Sequence, residues 1–580
     1  MLTARLASHF LTKSLPFIVT NTAPDPFEPT QSENVVSQPD SPSRQLVKAS
    51  AAWGQGYFTG IAYGAYSFRE LAPNWIDFAL LSQRQRPPRR QEGVGFNYLE
   101  LGSGMGLGLC LLAAAYPEGQ FVGIDFHPGH IAHSQWLAQE LQISNIVFHE
   151  GDFSALAASE QPLPVGADGH FDYVVAHGIL SWIAEPVRQA MLGITNRLLK
   201  PGGAFYCSYN TFPGWMDRTV FKALLTLERE RPGADGFLGS IQRTVATLMR
   251  LHDTPSDATP TRLSRAFPGL IENLRHIQQQ IDRPSYLCGE YGAEPWQPFY
   301  VAEVHRLAAA HKLDHVASAT LPDNYPSLLP SHVAAVVEEE RDPLIRQTLL
   351  DMAINQSFRR DLFVKGAIPL TRTAYEALLA QQMFCCLRAS DPNPSAQTEP
   401  VAVTTNLGMI SIEADLVGQL LSLLQLASAS LGDIHQALGR SVDDLLKLTS
   451  LLLDEGWIGL DRGPAIASAR SACRSVNQRM LELIQAGNNL NFLASPVAGH
   501  GGVGISLLDA FTLAGIQQGI EGEVLASCVW MGMASAGVDM RNREGNLIDD
   551  PDQAFLLIQE HVVTFISSSV AKLQLLGIVE

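Results

Sequence analysis

An α/β domain built on a doubly wound, mainly parallel sheet, followed by a mostly helical region, is the architecture this sequence predicts. Three observations predict it. Short apolar runs alternate with helical stretches from about residue 96, the first run ends in a glycine-rich turn, and beyond residue 330 the pattern turns helical. At 580 residues the chain exceeds what one hydrophobic core organises, so two or three domains are expected.

Taken in order, residues 1–24 hold Arg5 and Lys13 but no acid, and 22–50 run through Pro, Ser, Asn, Gln and Asp without periodicity. Residues 1–50 read as a disordered leader or as the product of an upstream start codon, with an organellar transit peptide as the alternative. The α/β core is placed at 51–216. Its strands are FNYLELG (96–102), QFVGID (120–125), NIVFHEGD (145–152), FDYVVAHG (171–178) and GAFYCSYN (203–210). The intervening stretches, such as GLGLCLLAAAYP and PGHIAHSQWLAQELQI, are helical, so the sheet is covered on both faces.

From 217 to 297 the pattern is helical throughout, as in RTVFKALLTLERE and GSIQRTVATLMRLH. FYVAEVHRLAAAHKLDHVASATL (299–321) then reads as one helix and one strand, which would complete the sheet within 298–330. Residues 217–297 are thereby an insertion between the fifth and sixth strands. It starts where ligands of open α/β sheets sit, so it is expected to cap the substrate.

Residues 331–580 read as mostly helical, with polar breaks at 389–400 and 542–552. DIHQALGRSVDDLLKLTSLLLDEGWIGLD (433–461) has the cadence of a winged-helix unit. It carries only Arg440 and Lys447 against five Asp and one Glu, which favours an interaction or homodimerisation role over DNA. The most apolar stretch, LVGQLLSLLQLASASL from Leu416, is too short to span a bilayer and reads as a buried or dimer-forming helix; no membrane insertion is expected.

The formal net charge of −18, from 58 acids against 40 bases, repels phosphate backbones, so nucleic acid is not expected as a partner. The seven cysteines are scattered and form no CxxC pair, as suits thiols in a reducing cytoplasm. His127, His130 and His133 spread around a helix start, and no metal is expected there.

The informative segment is YLELGSGMGLG (98–108), with glycines at 102, 104, 106 and 108 between a strand and a helix. Glycine there tolerates positive φ and lets a ligand approach the backbone. The G-x-G-x-x-G register of nicotinamide-binding turns fails, because its third position is Leu107 or Leu109. Asp125 ends the second strand and Asp152 follows the third. By themselves these acids would equally serve as a helix cap and a turn residue.

Glu100-x-Gly102-x-Gly104-x-Gly106 resembles the first motif of class I S-adenosylmethionine-dependent methyltransferases. The resemblance implies a Rossmann-like sheet and S-adenosylmethionine as methyl donor. It places the glycines at the donor's methionine and ribose, and Glu100 at the turn or the sulfonium side. Asp125 falls on the ribose diol, Asp152 near the adenine amine, and Phe153 as a ring wall. HGILSW (177–182), SYNTFPGW (208–215) and, more loosely, AYSFRELAPNWIDFA (65–79) resemble a bacterial subfamily with a helical methyltransferase regulatory region. Rickettsial protein-lysine methyltransferases acting on outer-membrane proteins are similar in layout.

Acceptor-side candidates are His177, Tyr209 and Asn210 as catalytic residues, with Trp182 and Trp215 as walls or core. His177 at the end of the fourth strand orients the acceptor or simply bonds backbone. The expected function is methyl transfer to a protein, on lysine. The alternatives are a small-molecule or cell-envelope glycan acceptor, or a non-catalytic sensor of the donor.

Overall fold

The computed structural model describes residues 17–21, 54, 57, 59, 65–89, 93–159, 169–231, 236–252, 261–281, 284–388, 399–463, 466–497, 501–536, 538–542, 548 and 550–579. Its centre is a seven-stranded sheet. The strands are β1 (Phe96–Leu101), β2 (Gly119–Asp125), β3 (Ile146–Glu150), β4 (Phe171–Ala176), β5 (Leu199–Asn210), β6 (Asp314–Ser318) and β7 (Phe358–Val364). They lie in the order β3-β2-β1-β4-β5-β7-β6. The first five run parallel, and β7 is antiparallel to both β5 and β6.

Alternation along each strand separates two cores. Tyr98, Tyr173, Tyr206 and Leu362 point to one face, beneath helices α1 (Pro73–Ser82), α2 (Leu107–Ala115) and α3 (Pro128–Glu140). Leu99, Val174, Phe205 and Phe363 point to the other, beneath α4 (Phe153–Ala158), α5 (Glu185–Leu198) and Val301–Ala310. Both faces are covered, which is why these strands read as nearly continuous apolar runs.

The sheet is not completed within 298–330. The helix and strand expected there form, but β6 reaches the sheet only through β7, which lies in the region expected to be helical. FRRDLFV reads poorly as an internal strand because it carries Arg359, Arg360 and Asp361 in succession, yet these are 4%, 2% and 0% exposed. They are tolerated because each is paired. Arg359 Nε donates to Asp361, Arg359 Nη1 meets Asp351 at 2.5 Å, and Arg360 faces Glu70 at 3.9 Å.

The helices Met216–Glu230 (α6), Gly236–His252 (α7) and Leu270–Gln279 (α8) pack around a core of their own that includes Phe221, Leu225, Ile241 and Leu274. Arg243 Nε pairs with the buried Glu228 at 3.0 Å between α7 and α6. The C-terminal region shares one continuous core with the first face of the sheet. Its winged-helix-like unit comprises Ala414–Leu426, Leu431–Leu438 and Val442–Asp454. A three-stranded antiparallel sheet of Ala429–Ser430, Met383–Cys386 and Ile458–Leu460 joins them. Arg462, fully buried, lies 3.8 Å above the Tyr116 ring and bonds Glu118 at 2.5 Å. Arg69 Nη2 donates to the Asp454 carbonyl at 2.6 Å. These bonds tie the C-terminal region to the α/β core.

One expectation needs correction. Phe17–Asn21, inside the leader expected to be disordered, forms a strand paired antiparallel with Val538–Asn542. FIVTN is rich in β-branched and aromatic residues, which favour strand; the rest of 1–50 lies outside the described residues. Pro551–Leu575 is a 25-residue helix long and apolar enough to cross a membrane by length and composition only. Ala554, Ile558 and Val562 pack against the two preceding helices, while Leu556 and Val563 are 59% and 67% exposed.

Candidate functional site

At the carboxyl end of β1 the chain turns through Gly102, Ser103, Gly104, Met105 and Gly106 into α2. The three glycines have φ of +76°, +53° and +76°. A Cβ on Gly102 would meet Ile179 at 2.3 Å and one on Gly106 would meet Ser134 at 2.6 Å, whereas one on Gly104 would meet nothing within 4 Å. Gly102 and Gly106 are therefore required by packing as well as backbone. Gly104 faces open space.

The turn is pinned to β2. The Gly102 and Ser103 N–H groups donate to the Ile124 carbonyl at 2.7 and 3.1 Å. Asp125 Oδ2 accepts from Gly104 N–H at 2.9 Å and Oδ1 from His127 N–H at 2.8 Å, with His130 Nδ1 3.2 Å from Oδ1. A carboxylate has about four acceptor sites. Three of them hold the turn and the start of α3 in place, which leaves one for a ligand hydroxyl.

Asp125 opens on a cleft of about 630 Å³, its mouth included, lined also by Gly102, Asp152 and Phe153. Asp152 caps α4, accepting from Ala155 N–H at 2.9 Å. Tyr57, Phe126, Ile179, Trp182, Ile183 and Val187 supply apolar walls. No periodicity marks these residues, because they converge from three separate loops and the first turn of α5.

His130, whose spacing from His127 and His133 does not suit a metal, borders the cleft. Its Nε2 and the Ser103 Oγ of the turn are both buried without a hydrogen-bond partner. Two orphaned polar atoms, the open space at Gly104 and an acid at the end of β2 fit a polar nucleoside with an amino-acid tail. His127 caps α3 and stacks on His130 with centroids 4.4 Å apart, whereas His133 Nδ1 lies 2.9 Å from the Met105 carbonyl, so the three do not meet at one point.

Glu100 sits beneath the turn, 9% exposed. Burial, with the charge of Asp125 added, pushes its carboxyl up to about 8. It is protonated at neutral pH until a cation comes near.

The acceptor-side candidates separate. His177 Nδ1 lies 2.9 Å from the Tyr206 hydroxyl, and its ring rests on Phe68 with centroids 3.8 Å apart. Burial, with the Arg360 charge adding, lowers its pKa to about 3, so it is a neutral imidazole. Asn210, 4% exposed, leaves Nδ2 without a partner, while its N–H donates to Ser181 Oγ at 2.9 Å. Tyr209 points to the opposite face, where its hydroxyl donates to Asp361 at 2.5 Å. Adjacent strand residues face opposite ways, so His177 and Asn210 share one face and Tyr209 belongs to the buried ion network.

That network holds the one group, among the described residues, whose atoms are close enough for a metal: His305, His315 and Asp361. Asp361 already accepts from Arg359, Tyr209 and His305, and the guanidinium opposes a second cation there. Trp182 borders the cleft, and behind it Trp215 and Trp296 pack with centroids 5.2 Å apart. Lys222 Nζ lies 4.5 Å above the Trp296 ring.

The methyltransferase domain family matches residues 93–230, and the family described as a predicted methyltransferase regulatory domain matches 283–365. The second match starts at the end of the helical insertion and takes in β6 and β7, so the regulatory segment supplies the sheet's last two strands. An uncharacterised protein of Synechocystis is 26% identical over 490 residues, covering 84% of this chain and 92% of that protein. One from Rickettsia prowazekii is 31% identical over 171 residues, 29% of this chain and 64% of that protein. The structure of PKMT2 from Rickettsia typhi shares the fold at TM-score 0.61 and 18% identity, covering 88% of this chain and 99% of that one. Family, fold and cleft agree, and the chain is an S-adenosylmethionine-dependent methyltransferase whose catalytic sheet is completed by a methyltransferase regulatory domain.

Proposed function

We propose that the acceptor is a protein and the acceptor atom a lysine amine, modified in the cytoplasm. The observation that carries this reading is the aromatic corner beside the cleft. Trp182 stacks on Trp296 at 6.4 Å, and Trp296 already holds a lysine ammonium, that of Lys222. Indole faces attract cations and exclude water. The likeness of the sequence motifs to rickettsial protein-lysine methyltransferases supports the same class of acceptor. Seven reduced cysteines, six of them buried, suit a reducing compartment.

Bound S-adenosylmethionine supplies an electrophilic methyl group on a sulfonium. The chain's own residues do the positioning. Gly102, Gly104 and Asp125 would hold the nucleoside and its tail, Phe153 and Val187 would enclose the base, and Glu100 would meet the tail's ammonium from below. An acceptor lysine must lose a proton before transfer, and from a pKa of about 10.4 this costs roughly 4–5 kcal/mol at pH 7. Lys222 shows what the corner contributes. Burial, with Arg229 adding, brings its ammonium down to about 8. A lysine entering the same corner is eased toward the free amine without a dedicated base. His177 and Asn210, on one sheet face, offer a neutral imidazole and an amide to orient it.

The test is transfer from methyl-labelled donor to a lysate of the producing cells. Label on protein, located on lysine by mass spectrometry, is expected. Label confined to small molecules or glycan defeats the protein reading, and donor binding without any transfer makes the chain a sensor. Self-association through the C-terminal region, where Leu556 and Val563 project outward, belongs to the same proposal and is read by sedimentation.

A further inference from the structure

Phe68, whose ring rests on His177, also lines a second cavity, separate from the cleft. It measures about 1300 Å³ with its mouth included, and it lies between the segment preceding α1 and the C-terminal region. Tyr66, Trp75, Phe492 and Leu573 make most of its wall apolar. The two sides meet where the Tyr66 ring stands edge-on to Phe492 with centroids 5.1 Å apart.

Most polar groups in the wall are already engaged. Arg69 pairs with Asp454 at 3.2 Å, and Arg360 Nη1 donates to Thr320 Oγ1 at 3.2 Å. Asp509 accepts from Ser506 Oγ at 2.6 Å and lies 2.9 Å from His561 Nε2. Glu70, 5% exposed, differs. Its Oε1 is 3.8 Å from Arg69 Nε and 3.9 Å from Arg360 Nε, near enough for attraction between charges and too far for a hydrogen bond. Burial opposes its charge, but the two guanidinium groups outweigh burial and hold the carboxyl below its usual range, so it is ionised at neutral pH. Among the described residues no other residue donates to either of its oxygens, and neither oxygen is sealed from water, whereas Arg360 Nε is. A reachable carboxylate in a largely buried wall, its lone pairs unused, calls for a donor that the protein does not provide.

We propose that this cavity is a binding site for an uncharged amphiphile of the long-chain alcohol class, its hydroxyl donating to the Glu70 carboxylate and its hydrocarbon body against Tyr66, Phe492 and Leu573. A hydroxyl on a carboxylate makes a charge-assisted hydrogen bond, and the chain takes apolar wall out of water. A carboxylate in the same place would face the charge of Glu70, and an ammonium would face Arg69, Arg360 and Lys572. A hydrocarbon or an ether would leave Glu70 without a donor. The site does not depend on the identity of the methyl acceptor.

Calorimetry on the full chain at pH 7.5 tests it, with octanol as probe. The controls are heptyl methyl ether, an isomer of octanol that lacks the donor, and octanoate and octylammonium, which add charge of either sign. Octanol is expected to bind saturably at one site, with each control at least tenfold weaker. Val503→Trp, which fills the cavity from its hairpin wall, is expected to abolish octanol binding while keeping its unfolding transition. Glu70→Met is expected to bring octanol down to the affinity of the ether. No saturable heat with octanol overturns the proposal. So does any control binding as tightly as octanol, or unchanged octanol binding in folded Val503→Trp.

Discussion

Replacing Glu100 by Gln should stabilise the protein in the absence of donor. The carboxyl titrates near 8 in the fold because burial and Asp125 disfavour its charge, against about 4.5 in the unfolded chain. The folded state thus holds a proton that the unfolded state releases between those values, and stability falls as pH rises through that window. The cost is about 3 kcal/mol at pH 7 and under about 1 kcal/mol at pH 5, from 1.36 kcal/mol per pKa unit. Glutamine is isosteric and uncharged, so urea unfolding should show it more stable by up to these amounts, with the gain vanishing below pH 4.5. Donor binding should reverse the preference. If the ammonium of S-adenosylhomocysteine meets Glu100, binding at pH 7 releases close to one proton, visible as a dependence of the calorimetric enthalpy on buffer ionisation heat. The Gln variant should release none there. A variant no more stable than the parent at pH 7 would refute the buried-acid argument. Equal proton release from both proteins would refute the pairing with the ligand.

Other consequences are separately measurable. Asp125→Ala removes both a ligand acceptor and the tether to Gly104, so S-adenosylhomocysteine affinity should fall by about 1–3 kcal/mol in calorimetry; unchanged affinity would place the ribose elsewhere. Gly104→Ala meets open space, so it should cost only the strain of positive φ, about 1–2 kcal/mol, while reducing donor affinity. Gly102→Ala adds the clash with Ile179 and should destabilise more in thermal melts. His177 is held near 3, well below its unfolded 6.5, so the unfolded chain gains its proton first and stability is lost as pH falls below about 6.5. His177→Gln should remove about 1.4 kcal/mol of the destabilisation developed by pH 5.5. Arg359→Met strands Asp351 and Asp361 in the interior and should cost about 3–5 kcal/mol in denaturant unfolding.

The glycine turn, the five leading strands and the place of Asp125 at the end of the second strand were legible because they depend on neighbours in sequence. A backbone that must reach positive φ needs glycine, and a strand covered on both faces needs an unbroken apolar run. Tertiary structure decided the rest. FRRDLFV becomes an internal strand only because Asp351, in the helix just before it, and Glu70, distant along the chain, match its guanidinium groups. Tyr209 leaves the acceptor side because adjacent strand residues face opposite ways and Asp361 waits on its face. The cleft walls at Tyr57 and Val187, and the cavity behind Phe68, are assembled from loops and domains far apart in sequence. No local pattern encodes such a meeting, since apolar side chains specify burial but not partner.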